Sequence, residues 1–284
     1  MPALAAAGYR VVAPDQRGYG QSDAPDAVDS YDLLHLAGDI VGLVYALGEQ
    51  RATIIGHDWG APVAWTCALL RPDMFHSVCL MSVPFLPFTM GQPKLTDGLK
   101  VAFGDMEFYQ LYFQEPGKAE NELQENVRAT MLKLLYSGSG DARPGEGFPM
   151  VFPRSQRFID AVPLPAALPH WLSPDDLDYF AAEFERSGFR GGLNWYRNLD
   201  RDFELLAPLV NAVIRQPSLF LAGEKDVCIA MYRQAYDDLE RTMPALTGKH
   251  LFAGAGHWIQ QERPREVNAH LLEFLGRARS GAAA

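Results

Sequence analysis

Residues 52–60 read Ala-Thr-Ile-Ile-Gly-His-Asp-Trp-Gly: a short apolar run that ends in a turn centred on Asp58, with Gly56 two positions before it and Gly60 two after. Small residues at those offsets let a strand and the following helix approach closely while the central side chain projects outward, the geometry of a nucleophile elbow. The run Ala61 to Arg71 supplies the amphipathic helix such a turn needs. Serine is the usual occupant of the central position. Here it is a carboxylate. A plainer reading, a Gly-rich turn whose Asp caps the next helix, is the alternative.

Working outward, Tyr9 to Pro14 is a short apolar run closed by the Gly-rich loop Asp15 to Gly20, which predicts a strand and a turn. Tyr31 to Leu47 carries Leu33, Leu36, Ile40, Leu43, Val44 and Leu47 at helical spacing, with Gly48 placed to stop it. Ser77 to Val83 predicts another strand. Alternating strands and helices imply an α/β fold, a mostly parallel sheet with helices on both faces. From Pro84 the rhythm changes, with helices expected at Leu123 to Tyr136 and Pro174 to Ser187 around a Gly- and Pro-rich stretch. The second of these is well punctuated: Ser173 as N-cap, Pro174, acidic Asp175 and Asp176 in the first turn, Gly188 after the end. Strand patterning resumes at Ser218 to Ala222. A helix over Ala230 to Met243, a strand over Lys249 to Phe252 and a final helix from about Pro264, burying Val267, Leu271, Phe274 and Leu275, complete the chain. The expected division is therefore core at 1–83, an inserted helical cap at 84–214, and core again at 215–284. Only the Gly-Ala-Ala-Ala tail is of low complexity.

Composition narrows the partners. A formal net charge of -10, without a basic run, argues against nucleic acid and anionic membrane surfaces. No apolar stretch is long enough to span a bilayer, and the first residues lack the features of a signal peptide. Cys67, Cys79 and Cys228 sit among apolar neighbours and read as reduced core residues, so the expectation is a cytoplasmic protein with no metal or organic cofactor.

A nucleophile needs partners. The strand Ser218 to Ala222 runs into Gly223-Glu224-Lys225-Asp226, and the strand Lys249 to Phe252 into Gly254-Ala255-Gly256-His257-Trp258, giving nucleophile, acid and histidine in chain order, each after the C-terminal end of a strand. Of 7 histidines, His257 alone has that setting. His57 is expected to turn away from the nucleophile. Glu224 is the rival to Asp226. With aspartate as nucleophile the first adduct is an ester, which water activated by His257 can cleave at the carbonyl carbon; a serine would give an ether that water cannot. Epoxides and alkyl halides are the two substrate classes that fit. An epoxide oxygen leaves as an alkoxide and needs a proton, which a tyrosine can give; a halide needs only hydrogen-bond donors.

The segments Gly56 to Ala61, Tyr109-Gln-Leu-Tyr-Phe-Gln-Glu-Pro-Gly117, Ser187-Gly-Phe-Arg-Gly-Gly-Leu-Asn-Trp-Tyr-Arg-Asn198 and Gly256-His-Trp258 together resemble the soluble epoxide hydrolases of the α/β-hydrolase superfamily. The resemblance covers nearly the whole chain. It implies the α/β-hydrolase fold with a helical cap and a small apolar epoxide and water as reactants. It also implies that Tyr109 and Tyr196, among 11 tyrosines, hold and protonate the epoxide oxygen, with Tyr112 the nearest competitor and Tyr136 and Tyr179 behind it. Trp59 is implied as a backbone donor to the oxyanion and a substrate contact. In that family further strands and a His-Gly-x-Pro loop precede the equivalent of Tyr9 to Pro14, so a native chain that continues upstream is expected, carrying a second oxyanion donor. A haloalkane or haloacid dehalogenase with the same triad, and a silent binding protein of this fold, are the alternatives.

Overall fold

The computed structural model describes residues 1–87, 95–103 and 105–281, so 282–284 of the tail lie outside the described residues. Six strands occur among them: β1 (Ala52–His57), β2 (Phe75–Met81), β3 (Met106–Phe108), β4 (Val151–Pro153), β5 (Ser218–Gly223) and β6 (Leu246–Phe252). By contacts the chain divides into two units. The first holds Met1–Pro14, Ala37–Pro87 and Asn211–Ala284; the second holds Asp15–Leu36 and Phe88–Val210.

In the first unit, β1, β2, β5 and β6 form one parallel sheet in the order β1-β2-β5-β6. Strand residues alternate between two apolar clusters. Val78, Leu80, Phe220 and Ala222 face one side, with Ala61, Ala64, Trp65 and Ala68 of the helix Gly60–Leu70. Cys79, Met81, Leu219 and Leu221 face the other, with Val267, Leu271, Phe274 and Leu275 of the helix Pro264–Gly281. A sheet covered on both faces by helices is what continuous apolar strands require, and each large side chain buried there contributes about 1.5–3 kcal/mol. Register keeps the strand ends level, with His57 opposite Met81, Met81 opposite Leu221, and Gly223 opposite Phe252. The loops that follow β1, β5 and β6 therefore open on one edge.

Two expectations need correction. Tyr9 to Pro14 is not a strand: the segment is irregular, with Tyr9 and Val11 partly buried against the second cluster. An apolar run becomes a strand only beside a ladder partner, and no described strand lies next to it. The single helix expected over Ala230 to Met243 is three short ones, Val227–Met231, Arg233–Asp237 and Leu239–Thr242, interrupted at Tyr232 and Asp238.

The second unit is helical, with Lys118–Leu123, Val127–Ser137, Pro174–Ser187, Arg190–Arg197 and Leu199–Leu205 as its main helices. Ser173 and Asp176 form the reciprocal cap at the start of Pro174–Ser187, and Gly188 ends it at φ 68. The antiparallel pair β3–β4 was not foreseen, because three-residue strands carry no readable periodicity. Residues 15–36, which the sequence reading groups with 1–83, are tied into this unit. Trp195 Nε1 donates to the Arg17 carbonyl at 3.1 Å, Asn198 Nδ2 to the Val28 carbonyl at 2.6 Å, and Arg201 pairs with Asp32 at 2.9 Å. Gly191 lies so close to Gly18 that a Cβ on it would sit 2.2 Å from the Gly18 oxygen. Asp202 Oδ1 accepts from the Leu33 N–H at 2.7 Å, capping the helix Leu33–Ala46 from outside its own sequence. No described helix is long and apolar enough to cross a membrane.

Candidate active site

Asp58 sits in the left-handed region at φ 52, between β1 and the helix Gly60–Leu70. The two glycines explain the turn: a Cβ on Gly56 would lie 2.0 Å from the Gly60 oxygen. Asp is among the few non-glycine residues that tolerate this conformation. At the helix N-terminus its carboxylate also meets the positive end of the macrodipole. Burial opposes its ionisation. The hydrogen bond and charge of His257, then His57 and the Trp59 backbone N–H, outweigh that and hold it at about 2. The side chain keeps 35% exposure, so the carboxylate is accessible.

His257 lies between two carboxylates. Its Nε2 is 3.2 Å from Asp58 Oδ2, and its Nδ1 is 3.2 Å from both oxygens of Asp226. Burial works against the imidazolium, yet Asp226 and Asp58 raise it well above the ordinary histidine value. Asp226 is fully buried, at the N-cap of Val227–Met231, where it accepts from the Cys228 N–H at 2.9 Å. Burial again opposes its charge, and His257 lowers it nonetheless. Glu224 faces elsewhere, accepting from the Gly254 N–H at 3.2 Å. The β5 and β6 loops come together because Gly223 has no side chain: a Cβ there would be 2.0 Å from the Gly256 oxygen.

Two neighbours were not foreseen. His57 does not turn away, because the left-handed Asp58 breaks the strand's alternation. Its Nε2–H donates to the His257 carbonyl at 2.7 Å, the rings lie 4.6 Å apart, and burial followed by the charge of His257 lowers it to about 4, so it is neutral. Ser82, fully buried at φ 69, donates from Oγ to the same carbonyl at 3.1 Å, in a tight turn closed by Val83 N–H to Met81 O at 2.8 Å. A serine with positive φ leaves no trace in sequence. Cys228 completes the surroundings, with Sγ 4.0 Å from His257 Nδ1. Asp58, Cys228 and His257 bring one ligand atom each within 4.8 Å, but the donor set fits a metal poorly. Burial pushes the Cys228 thiol up to about 12, and both histidine nitrogens lie against carboxylates.

In the second unit, Tyr109 opens the short helix Tyr109–Tyr112 directly after β3, and Tyr196 lies near the end of Arg190–Arg197. Their rings meet edge to face at 5.9 Å, with Phe113 packed edge to face on both, at 5.6 Å from Tyr109 and 5.1 Å from Tyr196. Gln114 Nε2 bridges the segments, donating at 2.8 Å to both the Gln110 and the Tyr196 carbonyls. Arg197 adds bonds to the carbonyls of Phe113 and Glu115 and a two-pronged pair with Glu120 at 2.6 and 2.9 Å. The competing tyrosines are placed otherwise: Tyr112 is buried, its phenol pushed up to about 12 by burial and then by the charge of Glu122, Tyr136 bonds Glu146, and Tyr179 is exposed. Glutamines at i and i+4 inside an aromatic run were the signal available for this bridge.

Comparison with known proteins follows the same lines. The family described as alpha/beta hydrolase fold matches residues 1–264. Epoxide hydrolase A of Mycobacterium tuberculosis (strain ATCC 25618 / H37Rv) is 46% identical over 281 residues, covering 97% of this chain and 84% of that protein. Epoxide hydrolase B of the same organism is 38% identical over 306 residues, covering 97% and 86%. Among solved structures, an epoxide hydrolase from an endophytic Streptomyces superposes with a TM-score of 0.93 at 47% identity, over 98% of this chain and 84% of that one. Epoxide Hydrolase A from Mycobacterium thermoresistibile gives 0.89 at 46% identity, over 96% and 84%.

Proposed function

The chain belongs to the α/β-hydrolase family, among its epoxide hydrolases, and on that footing we propose which of its residues turn an epoxide and water into a vicinal diol. The observation that carries the assignment is the Asp58 carboxylate, held anionic in a strained elbow 3.2 Å from His257, with Asp226 behind the imidazole. Asp58 attacks a ring carbon, the carbon–oxygen bond opens, and Tyr109 and Tyr196 hold the oxygen and supply its proton. The product is a hydroxyalkyl ester of Asp58. Esterification removes one of the two charges that keep His257 protonated, so the imidazolium gives up its proton, which makes good the one the phenol has lost, and the neutral imidazole then takes a proton from water. The water oxygen adds to the Asp58 carbonyl carbon, the Trp59 N–H supports the oxyanion, and collapse releases the diol and the carboxylate. Asp226 fixes the imidazole's orientation.

We assign the cap role to residues 84–214, which carry both phenols, and a small apolar epoxide as substrate. We assign the protein to the cytoplasm, a reading that the three buried, unpaired thiols support because they suit a reducing compartment. The relatives' names favour epoxide over halide chemistry. Single turnover in heavy-oxygen water tests the pathway: label must enter the Asp58 carboxylate. First-turnover label found only in the diol refutes the ester.

A further inference from the structure

Gln110 is a buried polar side chain, 6% exposed, whose Nε2 donates to Tyr109 Oη at 2.9 Å. The surroundings are aromatic: Phe108, Phe113 and Phe148 pack on the Tyr109 ring at 4.9, 5.6 and 5.1 Å. A polar bond in such a setting is stronger than in water. The Gln110 backbone is held as well, because its carbonyl is one of the two bonded by Gln114.

The direction of this bond has a chemical consequence. An amide NH2 has no available lone pair, so it cannot receive the phenol's proton. An oxygen that accepts from it must direct its own O–H to a different acceptor. When that proton leaves, the oxygen becomes a phenolate, and a hydrogen bond to an anion is about twice as strong as one to a neutral oxygen. The bond thus favours the state after proton transfer.

We infer that Gln110 is the positioning residue that makes Tyr109 a proton donor, aiming its O–H and stabilising the phenolate left behind. This rests on Tyr109 protonating the epoxide oxygen as proposed above. The balance is simple: the proton passes from Tyr109 Oη to the alkoxide oxygen as the ring bond breaks, the phenolate keeps its Gln110 N–H until the proton given up by His257 restores the phenol, and a proton from the consumed water restores the imidazolium during ester hydrolysis.

Rapid-quench single turnovers of the full chain test this, following ester formation and ester hydrolysis separately across pH in Gln110→Met, Gln110→Glu and Tyr109→Phe. Gln110→Met deletes the donor at similar volume and should slow ester formation about tenfold while leaving hydrolysis unchanged. Gln110→Glu reverses the bond: once ionised, the carboxylate accepts a hydrogen bond from the Tyr109 O–H and holds it away from the epoxide. Ester formation in this variant should fall by at least about 100-fold as pH rises through the new ionisation, a limb absent from the parent enzyme. Parent-like ester formation in Gln110→Met, a parent-like pH profile in Gln110→Glu, or equal slowing of both steps overturns the inference. If Tyr109→Phe forms ester at the parental rate, the donor reading itself falls. A slow Tyr109→Phe beside a fast Gln110→Met sinks only the role of Gln110.

Discussion

Replacing Asp58 by Asn imitates, permanently, the neutral side chain that Asp58 would have in the proposed ester. The His257 imidazolium sits 3.2 Å from Asp58 Oδ2. Two unit charges at that distance interact by about 5 kcal/mol at an effective dielectric of about 20. Asp58 is 35% exposed, so solvent screens the pair and about half of that is retained. At about 1.36 kcal/mol per pH unit, Asp58→Asn should lower the His257 midpoint by about 2 units, toward its ordinary value. The sign follows from the charges: the carboxylate favours the protonated ring, and its neutralisation frees the ring to act as a base. Asp226 remains and keeps the ring oriented. Nuclear magnetic resonance of the imidazole carbons, titrated in both proteins, measures the midpoint directly. A His257 midpoint within about half a pH unit of the parent would refute the reasoning, and with it the proposal that ester formation arms the base.

Three further outcomes are expected. Burial raises Asp202 from 3.8 to about 7, so its contribution to stability is fully present below about pH 4 and lost as pH rises through about 7; Asp202→Asn should flatten urea midpoints across that window and gain up to on the order of 4 kcal/mol at pH 8. Arg197→Ala should cost about 3–5 kcal/mol by stranding Glu120, whose side chain is 11% exposed; thermal melts read this, and a loss below about 1 kcal/mol would contradict it. Gly56→Ala drives a methyl group to 2.0 Å from the Gly60 oxygen and should abolish soluble folded protein or cost more than about 4 kcal/mol, checked by circular dichroism.

The sheet was legible because its strands are apolar on both faces, and the grouping of Asp58, His257 and Asp226 because turns follow β1, β5 and β6 in one order. Tyr9 to Pro14 misled for the same reason: pattern reports what a segment can bury, while a strand also needs a neighbour. The tyrosine pair was proposed only by resemblance, since nothing local separates Tyr109 from Tyr112 three residues on; their surroundings differ, with Gln110 Nε2 donating to Tyr109 Oη and the charge of Glu122 beside a buried Tyr112. The placing of Ser82 and of His57 was beyond reach, because the positive φ at Ser82, and at Asp58 beside His57, is imposed by the surrounding packing.

The left-handed backbone at Asp58 also bears on how this position can change over generations. Asn tolerates φ 52 about as well as Asp does, while branched residues do not. The replacement that would disarm the proposed nucleophile is thus among the least disruptive to the turn, and such a descendant would keep its architecture. If Asp58 acts as proposed, catalytic loss and structural loss are separable at this position, and a folded, silent paralogue lies one substitution away.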